Sequence, residues 1–150
     1  MNFVSHFVFS FCLISSSIAF ADSPVLPTRM SKAEIAGSIF SSKELLIEEH
    51  ENEKGPYVTE DVERFLSSDK HFDSGMFRSG ANRYVINEPY GVDEFMYFLK
   101  GGVTLTSSNG EVMEIRAGDA VTIPKEWTGI WETEGYTKIY VIYSADKEIE

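Results

Sequence analysis

Few side chains in this 150-residue chain have the type and spacing that chemistry requires. It holds three histidines and one cysteine. Glu48, Glu49, His50, Glu51 and Glu53 surround one imidazole with carboxylates, the donors a metal would want. Contiguous charges more commonly form a solvated face, and that is the reading adopted. His71 and Asp73 make an H-x-D pair with no third donor nearby in sequence, so they are read as structural or solvent-facing. Glu94 is an acid inside the apolar run VDEFMYFLKG (residues 92–101). Lys138, Tyr140 and Ile142 share one face of a strand by alternation. Tyr84 and Asn87 lie on the segment leading into the apolar run, with Arg83 on the face opposite Tyr84. Trp127 and Trp131 point to the same side if they share a strand. Such a pair stacks on a planar or sugar-like ligand or closes a core, and we expect one of each.

The elements that must position these groups are centred on residues 91–131. Residues 95–99 are aromatic and aliphatic at strand length and end in Gly101-Gly102, which permits a bend. Residues 103–106 and 111–115 alternate as strands around a hairpin signal ending in Asn109-Gly110. Residues 120–123 form a short apolar strand that Pro124 ends. Further strand-like segments cover 75–78, 82–87, 127–132 and 137–144. Many short strands with tight turns predict a sandwich or barrel.

The spacing of Glu94 and Gly101 resembles the second half of the first cupin motif. Gly118-Asp119 followed by Pro124 resembles the second motif. Across residues 75–143 the sequence is similar to small cupins of the ureidoglycine aminohydrolase and ethanolamine-utilisation types. Asp93, Phe95, Gly110, Ala120, Lys125, Gly129, Trp131 and Lys138 carry the likeness further. The resemblance implies an all-β fold: a single cupin jelly-roll β-barrel over residues 71–150, with a short N-terminal helical or irregular extension over 22–70. It implies that Glu94 points into the barrel, where a carboxylate must be paired, hydrogen-bonded or protonated. It aligns Lys138 with a lysine common near the last strand of such proteins. The face opposite Glu94, with Phe95, Tyr97 and Leu99, then needs a cover, and residues 22–70 or a second subunit would supply it. A homodimer is expected by the same resemblance.

Metal-binding cupins are expected to place two His before the motif Glu and a third after the motif Pro. Residues 87–93 (NEPYGVD) and 125–134 hold none. One of the four ligands, Glu94, remains, so the expectation is no metal and no cofactor.

Residues 1–21 contain no Asp, Glu, Lys or Arg, and residues 7–20 are apolar and Ser-studded. The length suits a signal-peptide core, with Ala19-Phe20-Ala21 before the cleavage point. A periplasmic or secreted protein follows, without a membrane anchor after cleavage. Cys12 is lost with that segment, and the net charge of −11 stays with the remainder. A domain this acidic is a poor partner for nucleic acid or an anionic membrane. Within 22–70, Ser31 and Glu34 have capping-box spacing for a short helix over 31–40, interrupted by Gly37. Residues 43–49 suit a strand or a helical turn. Residues 59–66 (TEDVERFL) predict a second helix capped by Thr59.

Two functions remain open. One is an exported cupin that binds a small polar metabolite through Tyr84, Asn87, Trp127, Trp131 and Tyr140. The alternative is a hydrolase, lyase or isomerase acting on a small ureido, amino or sugar compound, with Glu94 and Lys138 as its catalytic pair.

Overall fold

Runs of β-branched and aromatic residues broken by glycine turns fold as antiparallel strands. The computed structural model describes residues 25–149. The expected signal peptide and Cys12 lie outside the described residues. Nine strands are formed among them: β1 (Leu46–Asn52), β2 (Gly55–Leu66), β3 (Phe72–Ser79), β4 (Asn82–Ile86), β5 (Asp93–Ser107), β6 (Val112–Arg116), β7 (Ala120–Ile123), β8 (Gly129–Thr133) and β9 (Tyr136–Tyr143). Their order is β1-β2-β3-β9-β5-β8-β4, with β6 and β7 also paired to β5. This is the all-β jelly-roll expected from the sequence.

One strand joins the two halves. The first part of β5 pairs with β9 and β7, and the second part pairs with β6 and β8. Residues 95–99 and 103–106, read as two strands, are therefore one strand with an irregular register between Phe98 and Lys100. The Gly101-Gly102 signal marks this bend and not a strand end. Gly101 has φ +66°, and a Cβ there would lie 1.9 Å from the carbonyl oxygen of Gly135. Only glycine lets the two backbones pass so closely.

Alternation along β5 sorts its side chains. Glu94, Met96 and Phe98 are buried inside, while Phe95 and Tyr97 face out at 43% and 39% exposure. Inside the barrel, Met96, Phe98, Val103, Leu105, Ile115, Ile123, Trp131 and Tyr136 form one core. A second core lies on the outer face of the β2-β3-β9 wall. There Val62 and Met76 pack with Ile39 and Phe40, joined by Met30, Ile35, Leu45, Leu99 and Ile139.

The cover over this outer face is the N-terminal segment. Helix α1 (Lys32–Ile35) begins with the expected capping box between Ser31 and Glu34. At Gly37 (φ +123°) the chain leaves the α-helix, and Ser38–Ser41 continue as a 3-10 turn. The helix predicted over 59–66 is not formed. Those residues belong to β2, paired along their length with β3. Thr59 and its following acids suit a helix start locally, but burying Thr59 and Val62 in a sheet outweighs that weak preference. The sheet thus includes residues before 70: β2 pairs with β3 from Thr59 to Leu66, with a register shift between Glu63 and Phe65. Among the described residues no helix is long and apolar enough to cross a membrane.

Candidate functional site

The barrel interior is not filled. A cavity of about 810 Å³ lies between the β2-β3-β9 wall, β4, β8 and the loop after β4. Six of the seven residues singled out by sequence line it: Glu94, Lys138, Tyr84, Asn87, Trp131 and Tyr140. Trp127 does not. It precedes β8 and is not on a strand with Trp131, because Gly129 starts that strand. Its indole N–H donates to Ser107 Oγ at 3.1 Å, and its ring meets Tyr90 edge-on. Trp127 supports the site from behind and touches no ligand space.

The floor of the cavity is an ion pair. Lys138 Nζ donates to Glu94 Oε1 at 2.5 Å, and both side chains are almost sealed, at 6% and 3% exposure. The second carboxylate oxygen, Oε2, accepts from the Tyr90 hydroxyl at 2.5 Å. Tyr90 is held there by the loop geometry: its N–H donates to the Trp127 carbonyl, and the N–H of Gly91 to that of Lys125. The rings of Phe77, Trp131 and Tyr136 stand 5.4, 5.6 and 5.8 Å from the ammonium. Their negative faces add cation–π attraction in a site poor in water. Burial and the neighbouring Glu94 charge hold the Tyr90 phenol well above its ordinary value, so it remains a donor.

A second polar group occupies the adjacent wall. Tyr140 donates to Asp61 Oδ1 at 3.1 Å. The ring reaches Asp61 by lying across Gly75. A Cβ at that position would sit 2.6 Å from the Tyr140 hydroxyl and 2.3 Å from the Val62 carbonyl oxygen. Asp73, on β3, is 6% exposed, and its Oδ1 has no hydrogen-bond partner among the described residues. Burial first, then the charges of Glu63 and Asp61, push Asp73 up to about 6 from 3.8. Burial likewise raises Asp61, against the bond from Tyr140 and the Lys138 charge.

Asp61 and Asp73 were missed by sequence reasoning. Asp61 was placed on a helix. The H-x-D pair reads as structural or solvent-facing, whereas alternation backwards from Phe77 and Gly75 puts Asp73 on the inner face. Tyr90 had no sequence signal. His71 Nδ1 donates to the Ser144 carbonyl, away from the cavity. His50 stacks on Tyr57 and bonds Thr59 Oγ1 at 2.8 Å, with its acidic neighbours on the surface strand β1.

Removing one member of a buried pair leaves an uncompensated charge, at a loss of about 3–5 kcal/mol. Lys138→Met is therefore expected to destabilise the fold by that amount in urea unfolding at neutral pH. Glu94→Gln/Lys138→Met removes both charges and should recover most of the loss. Equal destabilisation by the single and double variants would show that the charges are not the reason. For Asp73 the sign is opposite. Its native value lies above its unfolded one, so its contribution is fully present below about pH 4 and is lost as pH rises through about 6, by at most about 3 kcal/mol. Asp73→Asn should raise the urea midpoint above about pH 6 and not below about pH 4. A gain independent of pH would contradict the assignment.

Residues 66–140, half of the chain, match the family of EutQ-like cupin domains. None of the curated proteins matches. A protein of unknown function of the DUF861 family from Pseudomonas syringae pv. tomato aligns with a TM-score of 0.57 at 17% identity, over 65% of this chain and 44% of its own. This chain thus spans less than half of that protein's length. A Rhizobium leguminosarum protein of unknown function aligns at 0.51 and 20% identity, over 79% of this chain and 99% of its own. The Clostridium difficile EutQ protein aligns at 0.48 and 20% identity, over 61% of this chain and 71% of its own. At these identities the two higher-scoring likenesses speak for the fold alone. They leave the ureidoglycine aminohydrolase side of the resemblance unsupported. The metal of many cupins does not fit this donor set. Glu94 is the one retained ligand, its two oxygens are engaged by Lys138 and Tyr90, and an ammonium stands 2.5 Å away. With that family's signature laid over the strands β3 to β9 that build the cavity, the chain belongs to the EutQ-like cupin domains.

Proposed function

We propose that this cupin binds a small polar metabolite inside its barrel, in an exported protein, without using a metal. The observation that carries the reading is the open cavity, in which aromatic walls surround a few converging ionisable groups. That combination is the usual character of a small-molecule site. Binding is favoured over catalysis by Glu94. A general base needs a free oxygen within reach of its substrate, and both oxygens of Glu94 already accept hydrogen bonds.

The test is a thermal-shift screen of the purified protein against small amino, ureido, carboxylated and sugar metabolites. A ligand at 100 times its Kd adds about 2.7 kcal/mol, a rise in Tm on the order of 5–10 °C. A true ligand should lose this effect in Tyr84→Ala or Trp131→Ala proteins that still fold. A complete screen without a shift would sink the reading.

Assembly is part of the same proposal. Phe65, Phe72, Phe95, Tyr97 and Tyr143 stay exposed on the outer face of the sheet, with Phe65 and Phe72 at the edge of the N-terminal cover. Contiguous apolar surface of this kind marks an interface, and a second copy of the chain is the proposed occupant. Native mass spectrometry should give a dimer of chains that start at Asp22. A monomer at micromolar concentration would remove the interface, and retention of residues 1–21 would remove the export.

A further inference from the structure

The two polar groups of the cavity differ in one respect. Lys138, Glu94 and Tyr90 form a closed unit: the ammonium meets a carboxylate, and each carboxylate oxygen has a donor. Asp61 and Asp73 have no such balance. Tyr140 has a single hydroxyl proton and gives it to Asp61 Oδ1. Asp73 lines the cavity, and its Oδ1 is sealed in the wall and accepts nothing among the described residues. A buried acceptor without a donor loses the free energy of its lost hydration, and more if it is charged.

The charges that line the cavity repeat the imbalance. Asp61, Asp73, Glu88 and Glu94 are set against Lys138 alone. With Glu94 and Lys138 cancelling, the field inside is negative. Glu63 adds to it from the neighbouring position on β2. An anion would enter against this field, whereas a cation with several N–H groups would relieve it.

We propose that the Asp61–Asp73 wall is the receptor for a protonated nitrogen, so that the cavity takes a small organic ammonium. This rests on the binding reading above. The ammonium donates to the Asp73 carboxylate and to Asp61, and Tyr140 keeps its bond to Asp61 and fixes that carboxylate. The carbon part of the ligand lies against Trp131, Phe77 and Ile142, which line the same space. A metal ion is a weaker occupant: among the described residues no three His, Cys, Asp or Glu side chains gather as a ligand set.

Three probes of matched shape test this by calorimetric titration of the full-length purified protein at about pH 7.5: phenethylammonium, phenethyl alcohol and phenylpropionate. A charge-assisted hydrogen bond to a buried carboxylate corresponds to a preference of about tenfold or more for the ammonium over the other two. Asp61→Asn/Asp73→Asn should abolish that preference while leaving Glu94 and Lys138 in place. Asp73→Asn alone, which keeps the Tyr140–Asp61 bond, should reduce it. If the alcohol or the carboxylate binds as well as the ammonium, the pocket reading stands and the cation receptor is wrong. A preference that survives the double variant also overturns the receptor. If none of the three binds at millimolar concentration, both readings fall. Should the double variant not fold, the three affinities of the native protein still decide.

Discussion

An ammonium buried inside a barrel is the constraint around which this structure is arranged. Lys138 sits on β9, at the middle of the sheet, with its side chain almost wholly buried. Removing a lysine from water costs several kcal/mol even after relaxation, and a Coulomb attraction repays this only with good geometry. The structure meets the condition with three kinds of partner. Glu94 supplies the opposite charge from the neighbouring strand β5, reaching along the strands rather than straight across, since Lys138 aligns with Phe98 and Ile142 with Glu94. The rings of Phe77, Trp131 and Tyr136 face the ammonium from β3, β8 and β9. Tyr90 ties off the remaining carboxylate oxygen. Glu94, Phe77 and Trp131 come from strands distant in sequence from Lys138, so the pair can exist only when the jelly-roll has closed.

That closed unit also explains how charge is distributed over the cavity. Because Glu94 and Lys138 neutralise each other, the carboxylates of Asp61 and Asp73 are not screened by a fixed cation of their own. They lie on the β2-β3 side, and Tyr140 bridges towards them from β9. Gly75 is the condition for that bridge. Its missing side chain lets the tyrosine ring cross β3 to reach β2. A buried carboxyl pushed up to about 6 is a liability to folding at neutral pH, and it is tolerable because the fold rests on two cores elsewhere.

The sequence showed the second half of this arrangement more clearly than the first. From residue 72 onward, alternation and turn residues placed the strands, and the motif spacing put Glu94 inside and Phe95 and Tyr97 outside. Lys138 came from the resemblance, which aligns it with a lysine common near the last strand of such proteins. The failures have a common physical cause. Residues 59–66 carry an N-cap threonine and early acids, both genuine helix signals, but helix preference is small per residue and sheet pairing with β3 overrides it. Once that segment was taken as a helix, Asp61 could not be seen as inward-facing. Tyr90 and Trp127 lie in loops, where period says nothing and only the tertiary contacts decide.

The misread segment also links the surface to the site. On β2, β3 and β9 several inward residues have an outward neighbour in the second core: Val62 beside Asp61, Met76 between Gly75 and Phe77, Ile139 between Lys138 and Tyr140. Residues 30–45 seal those outward side chains, and Arg64 fastens the segment to the strand through the Arg29 carbonyl and Glu34. A strand has one backbone for two faces, so packing on the outside fixes the depth and tilt of what points inside. The N-terminal segment contributes no group to the cavity. It contributes the rigidity of the wall that holds Asp61, Asp73 and Tyr140 in register, and in that sense it belongs to the site as much as the motif residues do.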